Sequence, residues 1–182
     1  LHWQSMDIAS LLGPEPTHLP ALRANMVSTL TGSATINNLS EAMGNDTDGK
    51  LFQALRSWAD VVFVGGQTVR SEDYSGVEQH SPDSPPAPIA VPTQSLKFEP
   101  DSKFLTHFTT APLFLVPHAA LQNPEVSARK GPLEAAGAEV IDAGEGTMQD
   151  YLRVLRERGF QRILCEGGPG MLGQLVHIDA ID

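Results

Sequence analysis

Cysteine is nearly absent from this sequence. Its single cysteine, Cys165, cannot form a disulfide within the chain, a usage typical of proteins in a reducing compartment. Long apolar runs are lacking as well. None approaches the roughly 18 residues that a membrane span requires, and residues 1–5 have neither the basic region nor the apolar core of a signal peptide. We therefore expect a cytoplasmic protein with no membrane partner.

Basic residues are also few. The chain carries 12 Lys and Arg against 22 Asp and Glu, a net charge of −10, and nothing clusters the basic ones. Nucleic acids and anionic membranes are negatively charged and attract positively charged protein surfaces, so neither is an expected partner of this acidic chain. If the protein binds a phosphate, a few arginines and backbone N–H groups must contact it locally.

Several motifs of well-known site types are missing. The six histidines show no H-x-x-x-H spacing, so we predict no metal site. No G-x-x-x-x-G-K-[ST] motif is present, which argues against a P-loop enzyme. No G-x-S-x-G motif is present, which argues against the usual hydrolase elbow.

What the sequence does contain is an alternation of strand and helix patterns. Its 182 residues, 41% of them hydrophobic, suffice for one domain with a buried core. Alternation of this kind predicts an α/β fold with a largely parallel sheet. The predicted strands are 23–30, with a resumed extended run at 33–36, then 60–64, 89–91, 113–116, 138–141 and 163–165. The predicted helices are 7–12, 48–58, 127–136 (interrupted at 131–132), 147–158 and 169–177.

The most informative stretch is 161–176, a buried strand, a glycine turn and the start of a helix. Free N–H groups and the positive end of a helix dipole favour an anion there, and phosphate is the commonest such anion. Gly168, Gly170 and Gly173 match G-x-G-x-x-G, but the strand and acidic residue that should follow are absent. The alternative is a plain turn with an exposed Glu166.

A second glycine turn follows the predicted strand 60–64. Gly65 and Gly66 come directly after a continuous apolar run, which is typical of a strand buried on both faces. This turn too can cradle an anion. In the helix before it, which Thr47 can cap, Arg56 lies off the apolar stripe, and its simplest interpretation is a solvated side chain near the helix end.

Four segments in order resemble the reductase family of riboflavin biosynthesis, a dihydrofolate-reductase-like domain often fused to a deaminase. Residues 25–32 (NMVSTLTG) resemble its x-M-V-S-S-L-D-G. Residues 51–60 (LFQALRSWAD) resemble its F-x-x-L-R-x-x-A-D. Residues 64–72 (VGGQTVRSE) resemble its V-G-x-G-T-V-R-A-E, and 165–173 (CEGGPGMLG) its E-G-G-P-x-L-x-G.

The resemblance implies a three-layer αβα fold with a mostly parallel central sheet. It implies a single reductase domain over 23–182 after an irregular lead-in, 1–22, with the family's last strands apparently missing. It further implies an NADPH-dependent enzyme that reduces the opened ribose of a phosphoribosylamino-pyrimidine, or acts on a pterin-like substrate. A homodimer is expected from the family.

Site residues follow from the matched motifs alone. The implied substrate-binding residues are Asn25, Arg56 and Glu166. No catalytic residue is assigned. The implied cofactor-binding residues are Thr29, Thr68, Glu72, Gly167, Gly168, Pro169, Gly170, Met171, Leu172 and Gly173. Arg70 is a candidate for the NADPH preference, although a surface role explains it equally well.

Two departures from the family pattern affect the substrate. Thr31 replaces the Asp of L-D-G, and Asn25 replaces a Lys that often lies near the substrate. Both changes remove a charged group, so the substrate need not be the standard pyrimidine. They also motivate an alternative, a catalytically idle relative that binds a nucleotide or a partner. A small NAD-binding Rossmann domain is the third and weakest interpretation, because the fingerprint comes last in the chain.

Overall fold

Six parallel strands form one sheet in the part of the chain that the structure describes. The structure is a computed structural model, and it describes residues 7–33, 43–79 and 84–182. The strand order across the sheet is β1-β6-β2-β3-β4-β5, and every neighbouring pair is parallel. The strands are β1 Ala21–Ala24, β2 Val61–Phe63, β3 Ile89–Pro92, β4 Leu113–Val116, β5 Glu139–Asp142 and β6 Arg162–Cys165.

Helices cover both faces of this sheet. They are α1 Ile8–Leu12, α2 Asp46–Trp58, α3 Gly66–Ser71, α4 Lys103–Thr106, α5 His118–Leu121, α6 Pro124–Ala135, α7 Met148–Glu157 and α8 Pro169–His177. Apolar residues of α2, α3, α4 and α6 belong to one buried cluster. Those of α7 and α8 belong to another. The predicted three-layer αβα, dihydrofolate-reductase-like fold is therefore confirmed.

The strands supply both clusters because their side chains alternate between the two faces. In β6, Leu164 packs in the first cluster, whereas Ile163 and Cys165 pack in the second. In β4, Phe114 and Leu115 divide in the same way. Strands buried on both faces read as continuous apolar runs, which is why the sequence revealed them.

The register brings the two glycine turns together. β2 and β6 are neighbours, and Phe63 pairs with Cys165 at their last rungs. Parallel strands end at the same edge of a sheet, so the turns that follow them, at Gly65 and Gly167, emerge side by side. The site described below is built at this edge.

The predicted first strand is wrong at both ends. β1 ends at Ala24, and it begins at Ala21, inside the segment assigned to the irregular lead-in. The backbone beyond it closes a turn instead, in which the N–H of Gly32 donates to the carbonyl oxygen of Thr29 at 2.9 Å. These local bonds compete with strand pairing. The resumed strand at 33–36 falls almost wholly outside the described residues.

Helix boundaries also differ from those predicted. Helix α2 is capped by Asn45, whose side chain accepts from the N–H groups of Thr47 and Asp48, so Thr47 is not the cap. Helix α6 runs without a break through Pro132, held to the sheet by its buried Leu133. The four- to six-residue helices α3, α4 and α5 are too short to give a periodic pattern, and the sequence did not reveal them.

Other local features match the sequence. The capping box of α7 forms as predicted, with Thr147 and Asp150 each bonding to the other's backbone. Across the three described ranges, no helix has the length and apolar character needed to cross a membrane.

The core makes a direct stability test possible. Leu115 is fully buried in β4, whereas Leu30 is fully exposed. We expect Leu115→Ala to lower the free energy of unfolding by about 2.7–5 kcal/mol, because the lost apolar contact and the cavity add. The same change at Leu30 should stay within about 0.5 kcal/mol. Urea denaturation followed by circular dichroism measures both, and equal losses would contradict the packing described.

Candidate active site

The two glycine turns are joined to each other. The N–H of Gly65 donates to the carbonyl oxygen of Gly167 at 3.1 Å. Gly167 and Gly168 have positive φ angles of 101° and 49°, conformations that glycine adopts without strain. A Cβ at Gly167 would lie 2.6 Å from the sulfur of Met26, and one at Gly168 would lie 3.2 Å from Thr68 Oγ1. The second turn therefore requires glycine for both conformation and space.

The amino end of α8 points N–H groups away from the sheet. Pro169 takes its first position, where a missing N–H costs nothing. The carbonyl oxygen of Gly168 accepts from Met171 and Leu172. Among the described residues, no acceptor is found for the N–H groups of Gly168 and Gly170. This geometry fits the anion site that the sequence predicted.

Both turns line one cleft of about 1320 Å³. Its walls come from the chain after β1, from one face of α2, from residues 65–75 and from the first turn of α8. The cleft therefore lies at the carboxyl edge of β1, β6 and β2, where open α/β sheets bind ligands.

A buried ion pair forms the floor between α2 and β6. Arg56 Nε donates to Glu166 Oε1 at 2.6 Å, and Arg56 Nη2 donates to Glu166 Oε2 at 2.8 Å. The side chains are 9% and 1% exposed, respectively. Two parallel bonds of this kind are the strongest geometry for a guanidinium and a carboxylate. The alternatives of a solvated Arg56 and an exposed Glu166 are therefore wrong.

Two aromatic residues complete this cluster. The hydroxyl of Tyr74 donates to Glu166 Oε2 at 3.0 Å, so both carboxylate oxygens are engaged. The guanidinium of Arg56 lies 4.2 Å from the ring centre of Phe52 and 5.6 Å from that of Tyr74. Its faces are thus covered by rings, which attract a cation through their quadrupole.

The cluster is held in a single ionisation state. Burial alone would lower the pKa of Arg56, but the hydrogen bonds and charge of Glu166 outweigh it and raise that pKa. Burial, reinforced by the charge of Glu166, raises the pKa of Tyr74 far above its ordinary value. Arg56 therefore stays charged and Tyr74 stays neutral throughout the physiological range.

The structure brings most of the predicted site residues to the cleft. Arg56 and Glu166 line it from the ion pair, and the backbone of Gly167 forms the turn beside it. The other predicted residues that line it are Asn25, Thr68, Glu72, Gly168, Pro169, Gly170 and Met171. Their roles in binding substrate or cofactor stay predictions.

Four predicted cofactor-binding residues do not line the cleft, namely Thr29, Gly167, Leu172 and Gly173. Of these, Gly167 forms the turn beside it. Thr29 lies in the turn after β1, where its hydroxyl accepts from the N–H of Ser33 at 3.0 Å and meets that of Thr31 at 3.0 Å. Leu172 and Gly173 lie in α8 after Met171. The turn of the helix places them on a different face from Met171, which lines the cleft. These residues were predicted because the matched motifs contain them together with residues that do line the cleft.

Sequence reasoning missed several lining residues. Asp48, Phe52 and Arg56 recur every four residues on α2 and share its cleft face. The sequence motifs give neither Phe52 nor Asp48 a role in the site. Tyr74 is an aromatic residue within the polar stretch 71–76, and that contrast is the one signal available for it.

Arg70, the candidate for cofactor preference, does not line the cleft. Its exposed guanidinium lies 5.0 Å from the ring centre of Phe98, on the side of α3 that faces the chain after β3. The surface interpretation of Arg70 is the one that this position favours.

Cys165 is inert in this setting. It is fully buried in β6, and burial, with the charge of Glu166, raises the pKa of its thiol to about 11 against the opposing effect of the Gly167 N–H. A thiol of this kind is not a nucleophile at neutral pH. As for metals, no group of three or more His, Cys, Asp and Glu side chains that could hold an ion occurs in the ranges described.

The family model of the RibD C-terminal domain matches residues 20–182. The match covers most of the chain, which therefore belongs to this family. The resemblance to the reductases of riboflavin biosynthesis, drawn from four short segments, is confirmed. No curated protein matches the chain significantly in sequence.

Solved structures support the same family. A pyrimidine reductase-like protein from Corynebacterium diphtheriae superposes with a TM-score of 0.77 at 25% identity, over 99% of this chain and 76% of that one. RibD from Acinetobacter baumannii superposes with a TM-score of 0.69 at 16% identity, over 91% of this chain and 44% of that one. The riboflavin biosynthesis reductase Rib7 from Saccharomyces cerevisiae superposes with a TM-score of 0.64 at 15% identity, over 94% of this chain and 74% of that one. The chain thus spans less than half of the Acinetobacter protein, and the last two likenesses concern the fold.

The ion pair makes a sharp stability prediction. Glu166→Ala leaves the guanidinium of Arg56 buried without its partner, so we expect a loss of about 3–5 kcal/mol in the free energy of unfolding. Tyr74→Phe, which removes one bond to a charged group, should cost about 1.5–3 kcal/mol. Glu99 is an exposed glutamate outside the cleft, and Glu99→Ala serves as the control, within about 0.5 kcal/mol. Chemical denaturation at pH 7 measures the free energy of unfolding of each variant. A loss in Glu166→Ala no larger than that in the control would contradict the pairing.

The thiol makes a pH prediction. The pKa of Cys165 rises from 9.0 to about 11 on folding, so the folded state binds the proton more tightly. This proton linkage contributes about 3 kcal/mol to the free energy of unfolding. The contribution is fully present below pH 9 and is lost as pH rises to about 11. Cys165→Ala should be less stable at pH 8 because of its cavity, but its stability should fall less steeply with pH. Urea denaturation midpoints of the wild type and of Cys165→Ala at pH 8, 9, 10 and 11 measure the two pH dependences. Equal loss of stability with pH in both proteins would disprove the prediction.

Proposed function

We propose that this protein is an NADPH-dependent reductase that transfers a hydride to a pyrimidine or pterin-like substrate. The observation that carries the proposal is the joined pair of glycine turns, which open onto one cleft beside free N–H groups of α8. Membership of the RibD C-terminal domain family supports it, as does the likeness to a pyrimidine reductase-like protein.

The residues present fit such a cofactor. A side chain at Gly168 would project to within 3.2 Å of Thr68 Oγ1, so the bare backbone leaves the space between the turns open. The N–H groups of Gly168 and Gly170 would bind a pyrophosphate, aided by the positive end of α8. When bound, the nicotinamide supplies the hydride, and the protein's part is to position the two reactants.

The chain's own residues contribute orientation more than covalent chemistry. No protein nucleophile is needed, in keeping with the buried, protonated thiol of Cys165. Arg56, Glu166 and Tyr74 hold the wall of the cleft in one arrangement. Because both oxygens of Glu166 are engaged, we assign it a positioning role. Asn25 and Asp48 also line the cleft and remain to contact substrate.

A second candidate function is an idle relative that binds a nucleotide without turnover. The pairing of Arg56 with Glu166 favours it, together with the uncharged Asn25 and Thr31. The two candidates differ in one measurement. A reductase oxidises NADPH when a substrate is added, which absorbance at 340 nm follows, whereas an idle relative binds the cofactor and leaves it unchanged.

Cofactor binding is the first test. We expect NADPH to bind saturably below about 1 mM, the upper end of ordinary enzyme affinities. Gly168→Val should weaken binding at least about tenfold, because a β-branched side chain at positive φ displaces the turn and fills the space beside Thr68. Fluorescence titration of NADPH measures the affinity.

The control is Gly131→Val, a change in α6 at a position where a Cβ meets nothing within 4 Å. It should leave NADPH affinity unchanged, and circular dichroism should show both variants folded. Unchanged affinity in Gly168→Val would mean that the turn is only structural. Absence of saturable NADPH binding to the wild type would end the proposal.

A further inference from the structure

Tyr74 reaches the cleft from a loop that is fixed at both of its ends. Helix α3 is followed by Asp73 in the left-handed conformation, with a φ of 48°, and the N–H of Tyr74 donates to the carbonyl oxygen of Val69 at 3.2 Å. These two features together form a common helix ending. Three residues after Tyr74, Val77 is buried in the first cluster of the core. The loop 73–77 therefore has a defined path on either side of the tyrosine.

Gly76 anchors this loop from outside the cleft. It does not line the cleft, and its N–H donates to the carbonyl oxygen of His107 at 2.8 Å. A Cβ on Gly76 would lie 2.7 Å from both the Cα and the Cβ of Phe108. Cβ atoms do not approach other residues that closely, so the contact between these two segments requires glycine.

Phe108 is itself held in place from behind. A Cβ on Gly137, in the turn between α6 and β5, would lie 2.9 Å from the Cζ of Phe108, so the ring sits directly on that turn. Helix α4, which comes just before Phe108, is anchored by its buried residues Phe104 and Leu105. The segment against which Gly76 packs therefore cannot move aside easily.

The hydrogen bond made by Tyr74 is sensitive to this contact. Its hydroxyl lies 3.0 Å from Glu166 Oε2. To bring a Cβ at Gly76 from 2.7 Å to an ordinary contact of 3.4 Å, the loop must shift by about 0.7 Å. A hydrogen bond stretched from 3.0 Å by that amount is lost, because donor and acceptor no longer interact at about 3.6 Å.

We infer that Gly76 and Phe108 are positioning residues, whose contact outside the cleft holds the hydroxyl of Tyr74 on Glu166. The catalytic consequence rests on the proposed function, in which the cluster around Glu166 orients the substrate. A misplacement of about 1 Å can lower an enzymatic rate by as much as about 100-fold. Since neither Gly76 nor Phe108 lines the cleft, their effect reaches the reactants through Tyr74.

The ionisation of Tyr74 tests the contact without any ligand. The chain has two tyrosines, so Tyr151→Phe leaves Tyr74 as the only one, and the ultraviolet absorbance of tyrosinate then reports on it alone. Burial raises the pKa of Tyr74, the charges of Glu166 and Glu72 raise it further, and Arg56 opposes them. We expect Tyr74 in this parent variant to stay protonated up to pH 11 while circular dichroism shows the protein folded.

Gly76→Ala, added to the parent, should bring the pKa of Tyr74 down towards the ordinary value of about 10, because the displaced hydroxyl leaves the carboxylate and meets water. Gly131→Ala is the matched control, since a Cβ there meets nothing within 4 Å. Leu115→Ala controls for lost stability, because it weakens the core and lies outside the cleft. Neither control should change the ionisation of Tyr74 in the folded protein.

Turnover gives a second measurement. With 5-amino-6-(5-phosphoribosylamino)uracil as substrate, Gly76→Ala in the otherwise wild-type chain should lower kcat/KM for NADPH oxidation at least about tenfold. The affinity for NADPH should stay unchanged, because the two glycine turns are not touched. Gly131→Ala should alter neither quantity. A change that merely weakened the fold would not separate the two in this way.

Each outcome decides the inference. A Tyr74 that ionises below pH 11 in folded Gly76→Ala, and not in the controls, supports it. A Tyr74 that stays protonated there overturns it, as does ionisation near pH 10 in the parent. If Gly76→Ala is unfolded at pH 8, Phe108→Ala, which removes the ring from behind the contact, is judged by the same criteria.

The catalytic consequence is judged separately. A lowered pKa of Tyr74 with unchanged kcat/KM overturns the positioning role in catalysis. Absence of turnover in the wild type counts against the proposed function alone, because the titration of Tyr74 needs neither substrate nor cofactor.

Discussion

The buried pair of Arg56 and Glu166 is the interaction on which the site depends. It ties the end of α2 to the end of strand β6 across 110 residues of sequence. Removing two charges from water is expensive, and only close geometry with further hydrogen bonds offsets that cost. Tyr74 and Phe52 supply the remaining contacts. The cluster thus fixes one wall of the cleft and pairs the positive charge of Arg56 with Glu166.

The opposite side of the cleft is built from backbone. The turns after β2 and β6 are bonded to each other at 3.1 Å, and the left-handed conformations of Gly167 and Gly168 leave N–H groups where side chains would otherwise stand. An anion bound there is recognised by dipoles that need no counter-charge. This division explains how a chain of net charge −10 can be proposed to hold a dinucleotide.

Sequence reasoning was strongest where the determinants are local. Continuous apolar runs indicated β2 and β4, glycine pairs located both turns, and the capping box located α7, because each signal lies within a few residues. The pairing of Arg56 was not predictable. A polar residue off an apolar stripe looks solvated until its partner is known, and Glu166 is far away in sequence. Thr29 shows the converse, since its hydroxyl bonds within its own turn and the residue does not line the cleft, which its motif could not reveal.

The position of β6 has a consequence for biosynthesis. It is the last of the described strands to be synthesised, yet it lies between β1 and β2, and β1 pairs with no other described strand. On the ribosome, β2 to β5 can associate as they emerge, whereas β1 must wait for about 140 residues of intervening chain. Such non-local closure is slow and leaves apolar edges open to chaperones. Nascent molecules would therefore acquire ligand affinity only after β6 has been synthesised.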